Sequence, residues 1–228
     1  MIFPIGDTQV QGGYKPYVSY TFIIINVLVF FYEASLGDAV HGFVMTYGTI
    51  PLEITSGEDY FTLFTSMFLH GGWMHLIGNM LFLWVFADNI EAKIGSARFV
   101  LFYLIGGLAA SLAHVMFNTT SQIPSVGASG AIAAVMGAYL VMFPKSKIKM
   151  LVIILFRSFH IPAFLFLGLW MGQQLIAGVG SLDETSDTAG VAWWAHIGGF
   201  VAGLLGGFYF KKAMYQWQVK PSVPKDYV

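Results

Sequence analysis

The chain has 228 residues, of which 57% are hydrophobic, 17% aromatic and only 10% charged, where a soluble domain carries about a quarter charged residues. That composition identifies a polytopic membrane protein with little room for a separate soluble domain. The net charge of −1 argues against a nucleic-acid partner, and the absence of cysteine excludes disulfides and thiolate metal sites.

Residues 1–16 are polar and glycine-containing, with none of the basic region, apolar core and cleavage site of a signal peptide. Apolar runs follow at 17–34, 73–90, 97–117, 127–143, 151–178 and 191–210. They predict an all-α fold of six transmembrane helices over 17–210, between a short N-terminal segment (1–16) and a tail (211–228). The fourth run is short, since its length at about 1.5 Å per residue is ~25 Å against a hydrocarbon core of ~30 Å. Arg157 and His160 interrupt the fifth, whose true span is expected to begin near Ile161.

Charge placement orients the spans. Lys15 precedes the first; Lys93 and Arg98 lie between the second and third; Lys145, Lys147, Lys149 and Arg157 lie between the fourth and fifth; Lys211, Lys212, Lys220 and Lys225 follow the sixth. These are all eleven basic residues. The opposite loops carry Glu33, Asp38, Glu53, Glu58, Asp59, Asp183, Glu184 and Asp187. Basic residues stay on the cytoplasmic side, so both termini are expected there.

Between the first and second spans runs a long loop, about residues 35–72, with Phe43, Tyr47, Phe61, Phe64 and Phe68 among few charges. Such a segment is expected to lie in the membrane interface. At the outer end of the second span sits His70-Gly71-Gly72-Trp73-Met74-His75, then Asn79. His75 and Asn79, four apart, share a helix face. An Asn amide there serves either as an oxyanion donor or as interhelical glue.

Gly127-Ala128-Ser129-Gly130 opens the fourth span after an uncharged polar loop, 118–126. A serine in the first turn of a helix sits among unpaired N–H groups at the positive end of the dipole, which suits a nucleophile that generates an oxyanion. The plainer reading is a helix cap with glycines for close packing. The sixth span contains Ala195-His196-Ile197-Gly198-Gly199, with Gly203 four further on. Ser129, Ala133 and Gly137 recur every four residues on the fourth span, while His196, Gly199 and Gly203 share a face of the sixth. Small residues at that spacing let membrane helices approach closely. A serine and a histidine at matching depth on two such faces favour a Ser–His dyad over separate structural roles. A metal site at His70, His75 and His196 is disfavoured by the absence of His-Glu-x-x-His spacing and of cysteine. His114 is expected to be an interhelical hydrogen-bonder, and His41 and His160 loop or interface residues.

Together, the six spans, Gly127-Ala-Ser129-Gly130, Ala195-His196-x-x-Gly199-x-x-x-Gly203 and His75-x-x-x-Asn79 resemble the rhomboid family of intramembrane serine proteases, from about Tyr17 to Phe210. The resemblance implies Ser129 as nucleophile and His196 as general base and acid, without an acidic third member. It implies an oxyanion site of His75, Asn79 and the Ser129 backbone N–H, supported by Gly127, Gly130 and Gly199. His70 matches a histidine that organises the first loop, and Glu91-x-x-x-Gly95 with Arg98 matches a turn ending the second span. No cofactor or metal is implied. The implied partners are transmembrane protein substrates and the lipid bilayer, with a small residue at the cleavage site and a setting in a prokaryotic plasma (inner) membrane. Oligomeric state has no signature in the sequence.

Two departures stand out. Phe61-Thr62 occupies the place of a Trp-Arg pair that anchors the family's first loop. Ala133 occupies the place of an aromatic under the histidine, so orientation of His196 is expected to fall to other packing, such as Trp193 or Trp194. The alternatives to a protease are a catalytically silent relative that binds transmembrane helices and a small-solute transporter. The first typically lacks the Ser or His present here, and no inverted repeat supports the second.

Overall fold

The computed structural model describes residues 2–7, 15–182 and 191–219, of which 2, 155 and 213–219 are described by backbone alone. The element order is β1 (Ile2–Asp7), α1 (Tyr17–Ser35), α2 (Val40–Tyr47), α3 (Pro51–Ser56), α4 (Thr62–Thr65), α5 (Trp73–Ile94), α6 (Ser96–Phe117), α7 (Ser129–Met142), β2 (Lys147–Val152), β3 (Arg157–Pro162), α8 (Ala163–Gly180) and α9 (Trp193–Val219). The acidic loop residues Asp183, Glu184 and Asp187, and the tail residues Lys220 and Lys225, lie outside the described residues.

By length and composition, α1, α6 and α8 can each cross a membrane, and α7 is an apolar helix of 14 residues. The bundle is completed by α5 and α9, of 22 and 27 residues. Its centre is α7, packed most extensively on α9 and next on α6 and α5. Every residue of α7 from Gly130 to Tyr139 is buried. The short fourth run is therefore a helix enclosed by protein, which relaxes the need to match the bilayer thickness.

Small residues bring α7 and α9 to backbone contact. A β-carbon placed on Gly199 would lie 2.1 Å from the Gly130 carbonyl oxygen, and one on Gly203 1.9 Å from that of Ala134. One on Gly137 would lie 2.2 Å from that of Phe200. Only glycine permits this approach.

The all-α expectation requires a correction at two places. The start of the fifth apolar run is not helical: β2 and β3 form an antiparallel hairpin, and α8 begins at Ala163. Within the polar N-terminal segment, β1 pairs antiparallel to β2, from Ile2 opposite Val152 to Asp7 opposite Ile148. The strand order is β1-β2-β3. Ile148 and Met150 turn one face of the sheet into the helix core.

Glu91 explains the turn after α5. Its carboxylate accepts the N–H groups of Val18 (3.1 Å) and Ser19 (2.8 Å), and the hydroxyls of Ser19 and Ser96 (both 2.7 Å). A side chain of α5 thus satisfies open N–H groups at the start of α1. Gly95, at φ +82°, makes the tight junction to α6.

Candidate active site

The loop between α1 and α5 is anchored without the Trp-Arg pair. Thr49 exchanges backbone hydrogen bonds with Ser125 at 3.0 and 2.8 Å. The Thr49 hydroxyl lies 2.9 Å from both the Thr62 carbonyl and the Ser66 hydroxyl. Buried Thr62 donates to the Asp59 carbonyl (2.8 Å), whereas Phe61 is half exposed. These short hydroxyl contacts take the place of a cation. Ser66 also accepts the Gly127 N–H through its carbonyl, at 2.9 Å. The first loop therefore grips the segment leading into α7 at the residue that sets up Ser129.

Ser129 begins α7. Its hydroxyl lies 2.7 Å from His196 Nε2, across the α7–α9 contact. His196 Nδ1 lies 2.7 Å from Gln174 Oε1 on α8. The imidazole also rests against Trp170, with ring centres 5.7 Å apart, and meets the edge of Trp193 at 6.4 Å. Trp194 turns away and stacks on Phe117 at 3.7 Å. The imidazole is thus oriented by Trp170, Gln174 and Trp193, not by Trp194. Gln174 and Trp170 are the residues missed in the sequence. The available signal was the polar Gln173-Gln174 pair within an otherwise apolar span, because intramembrane polar side chains are seldom idle.

Gly127 adopts φ +129°, and a β-carbon there would lie 2.7 Å from His75 Nε2 and 3.6 Å from Asn79 Nδ2. The glycine is required twice, by its backbone and by the two side chains its bare face meets. Gly71 donates its N–H to His75 Nδ1 (3.3 Å). An N–H can only donate, so this contact leaves the ring proton of neutral His75 on Nε2, toward Gly127. Asn79 Nδ2 is buried and has no hydrogen-bond acceptor among the described residues. Two N–H donors therefore converge beside Gly127, one residue short of the Ala128–Ser129 peptide.

His70 backs this group. It is buried, lies edge-on to His75 with ring centres 5.2 Å apart, and donates its backbone N–H to Glu33 Oε2 at 3.1 Å. Burial, helped by the neighbouring His75, lowers its pKa to about 4, so it stays neutral near pH 7. Glu33, expected in an outer loop, is instead buried in the last turn of α1. His114 meets Asn118 at 3.3 Å, one turn further along the chain. His41 and His160 are exposed.

The arrangement defines a helical membrane bundle with a Ser–His pair held between two helices and a pair of N–H donors beside Gly127, two residues before the serine. Residues 57–213 match the family model described as Rhomboid domain. The chain belongs to the rhomboid family. It is 30% identical over 205 residues to Rhomboid protease GluP of Bacillus subtilis (strain 168), covering 90% of this chain and 36% of that protein. It is 31% identical over 170 residues to Rhomboid protein 1, mitochondrial, of Saccharomyces cerevisiae (strain ATCC 204508 / S288c), covering 69% of this chain and 45% of that protein. RHOMBOID-like protein 1 of Arabidopsis thaliana is 34% identical over 156 residues, covering 67% of this chain and 35% of that protein. The chain thus spans less than half the length of these relatives.

Proposed function

We propose that this chain is an intramembrane serine endopeptidase that cleaves transmembrane segments of other proteins near the outer membrane face. The observation that carries the reading is the 2.7 Å contact between Ser129 Oγ and His196 Nε2. A hydroxyl is a weak nucleophile until an adjacent base removes its proton.

In this mechanism His196 Nε2 takes the Ser129 proton as Oγ attacks a peptide carbonyl of the substrate. The carbonyl oxygen becomes an oxyanion, held by Asn79 Nδ2, His75 Nε2–H and the Ser129 backbone N–H. Removing one such donor typically costs about 2.7–4 kcal/mol. Collapse of the intermediate breaks the C–N bond, and the imidazolium gives its proton to the leaving amine. Water entering from the outer side then attacks the acyl-enzyme, with His196 again acting as base. The Asn79 amide, unpartnered among the described residues, supports this assignment: a buried donor without an acceptor is costly unless it receives one during turnover.

The same reading includes six membrane spans, with α5, α7 and α9 joining α1, α6 and α8. Both termini lie on the cytoplasmic side of a prokaryotic plasma membrane, as the one-sided basic residues require.

The test is direct. The purified chain in liposomes should cleave a model transmembrane substrate, and a fluorophosphonate or isocoumarin should label Ser129. A folded protein that binds transmembrane helices but neither cleaves nor labels would instead be a silent helix-binding relative.

A further inference from the structure

We propose that Gln174 is a positioning residue that holds His196 in the tautomer required of a base toward Ser129; the proposal rests on the dyad reading above. Gln174 is 3% exposed, and its Nε2 donates to the Trp170 carbonyl at 3.2 Å, one turn back on α8. A carbonyl oxygen can only accept, so the amide nitrogen belongs on that side. The amide oxygen then faces His196 Nδ1, at 2.7 Å. An amide oxygen can also only accept, so Nδ1 must carry the ring proton. A neutral imidazole has one proton, so Nε2 is left with its lone pair, at 2.7 Å from the Ser129 hydroxyl.

The chain of roles has one direction: Trp170 carbonyl, Gln174 amide, His196 imidazole, Ser129 hydroxyl. Without the Gln174 oxygen, the Nε2–H tautomer would become available. In that tautomer Nε2 cannot accept the serine proton.

Gln174 holds the place an acid holds in a triad, but it is neutral. It orients the imidazole and accepts one hydrogen bond from the imidazolium, without a full countercharge. Trp170, on the same helix, also packs on the ring, so α8 sets both the plane and the tautomer of a base carried by α9. The titratable groups facing His196 from other elements are His75 on α5 and His114 on α6.

The test uses Gln174→Leu and Gln174→Glu in the full chain, assayed on a model transmembrane substrate and normalised to folded protein. Gln174→Leu is expected to lower kcat by about 10- to 100-fold with KM nearly unchanged, part of the roughly 10²–10⁴ that general base catalysis supplies. Gln174→Glu is expected to recover part of that loss and to move the acid limb of kcat/KM upward, because a carboxylate stabilises the imidazolium. Nitrogen-15 NMR of labelled histidine should show neutral His196 protonated on Nδ1 in the wild type, with the proton redistributed toward Nε2 in Gln174→Leu.

A Gln174→Leu protein with normal kcat, or with a lower Tm and normal turnover per folded molecule, overturns the proposal. So does an unmoved acid limb in Gln174→Glu, or a wild-type His196 protonated on Nε2. Failure of the dyad reading is distinguishable: Ser129→Ala would stay active, whatever tautomer the NMR reports.

Discussion

Asn79 has the most exacting position among the side chains beside Gly127, because its amide nitrogen is buried without an acceptor among the described residues. An oxyanion donor and a structural tie make opposite demands on a variant. Asn79→Ala is expected to lower kcat by roughly 10²–10³ with little change in KM. Normal turnover per folded molecule would make the His75–Asn79 pair structural. Ser129→Ala and His196→Ala are each expected to remove almost all cleavage, and the double variant should be no worse than either alone, since the two act as a unit. Residual activity above a few per cent in Ser129→Ala would exclude it as sole nucleophile.

For the elements, the determining feature is how closely α7 and α9 approach. Gly203 sits where a β-carbon would strike the Ala134 carbonyl at 1.9 Å. Gly203→Ala must therefore push two backbones apart, and overpacking of this kind typically costs about 1–3 kcal/mol. Thermal unfolding in detergent should show a clear fall in Tm. Cleavage should fall further than unfolding explains, because the same shift lengthens the Ser129–His196 contact. Gly168 on α8 is the control: it is exposed, with nothing within 4 Å of an added β-carbon. Gly168→Ala should leave Tm unchanged or slightly raised, as reduced freedom in the unfolded chain predicts. Equal losses in the two variants would refute backbone contact as the cause.

Across the whole molecule, β1 is tied to the bundle by one carboxylate. Asp7 accepts hydrogen bonds from the Tyr139 hydroxyl on α7 and from Asn89 Nδ2 on α5, the latter at 2.9 Å. Burial raises its pKa above the ordinary 3.8, against the lowering effect of those two bonds. A carboxyl with a raised folded-state pKa favours folding most when protonated. Its contribution is complete below the ordinary value and is lost as pH rises through the raised one. Asp7→Asn keeps an acceptor for both donors and removes the titration. Its Tm should match the wild type at low pH and exceed it increasingly as pH rises to 7. A difference independent of pH would show that the Asp7 charge is not the cause. Orientation is tested on the same scale: a reporter fused after Val228 should read as cytoplasmic, and one inserted near Asp183 as external.

The membrane class, the one-sided cations and the Ser129–His196 pair were legible in the linear sequence because each is written locally. Composition sets the solvent, hydropathy marks the apolar runs, and small residues at four-residue spacing mark faces that can touch. Ser129 and His196 stood out because a polar residue beside such a face needs a reason. Arg157 and His160 marked the start of the fifth run as unfit for a span, and α8 indeed begins at Ala163, but the hairpin that fills 147–162 was hidden, since a short apolar stretch has the same hydropathy as strand or helix. Pairing of β1 with β2, capping of α1 by Glu91 and support of His196 by Gln174 were decided only in three dimensions. Each joins groups from separate elements, 72 residues apart for Ser19 and Glu91 and 22 for Gln174 and His196. No periodicity records such a meeting. It follows from which backbone groups lack partners and which buried polar atoms come within reach once α7 and α9 have closed on each other.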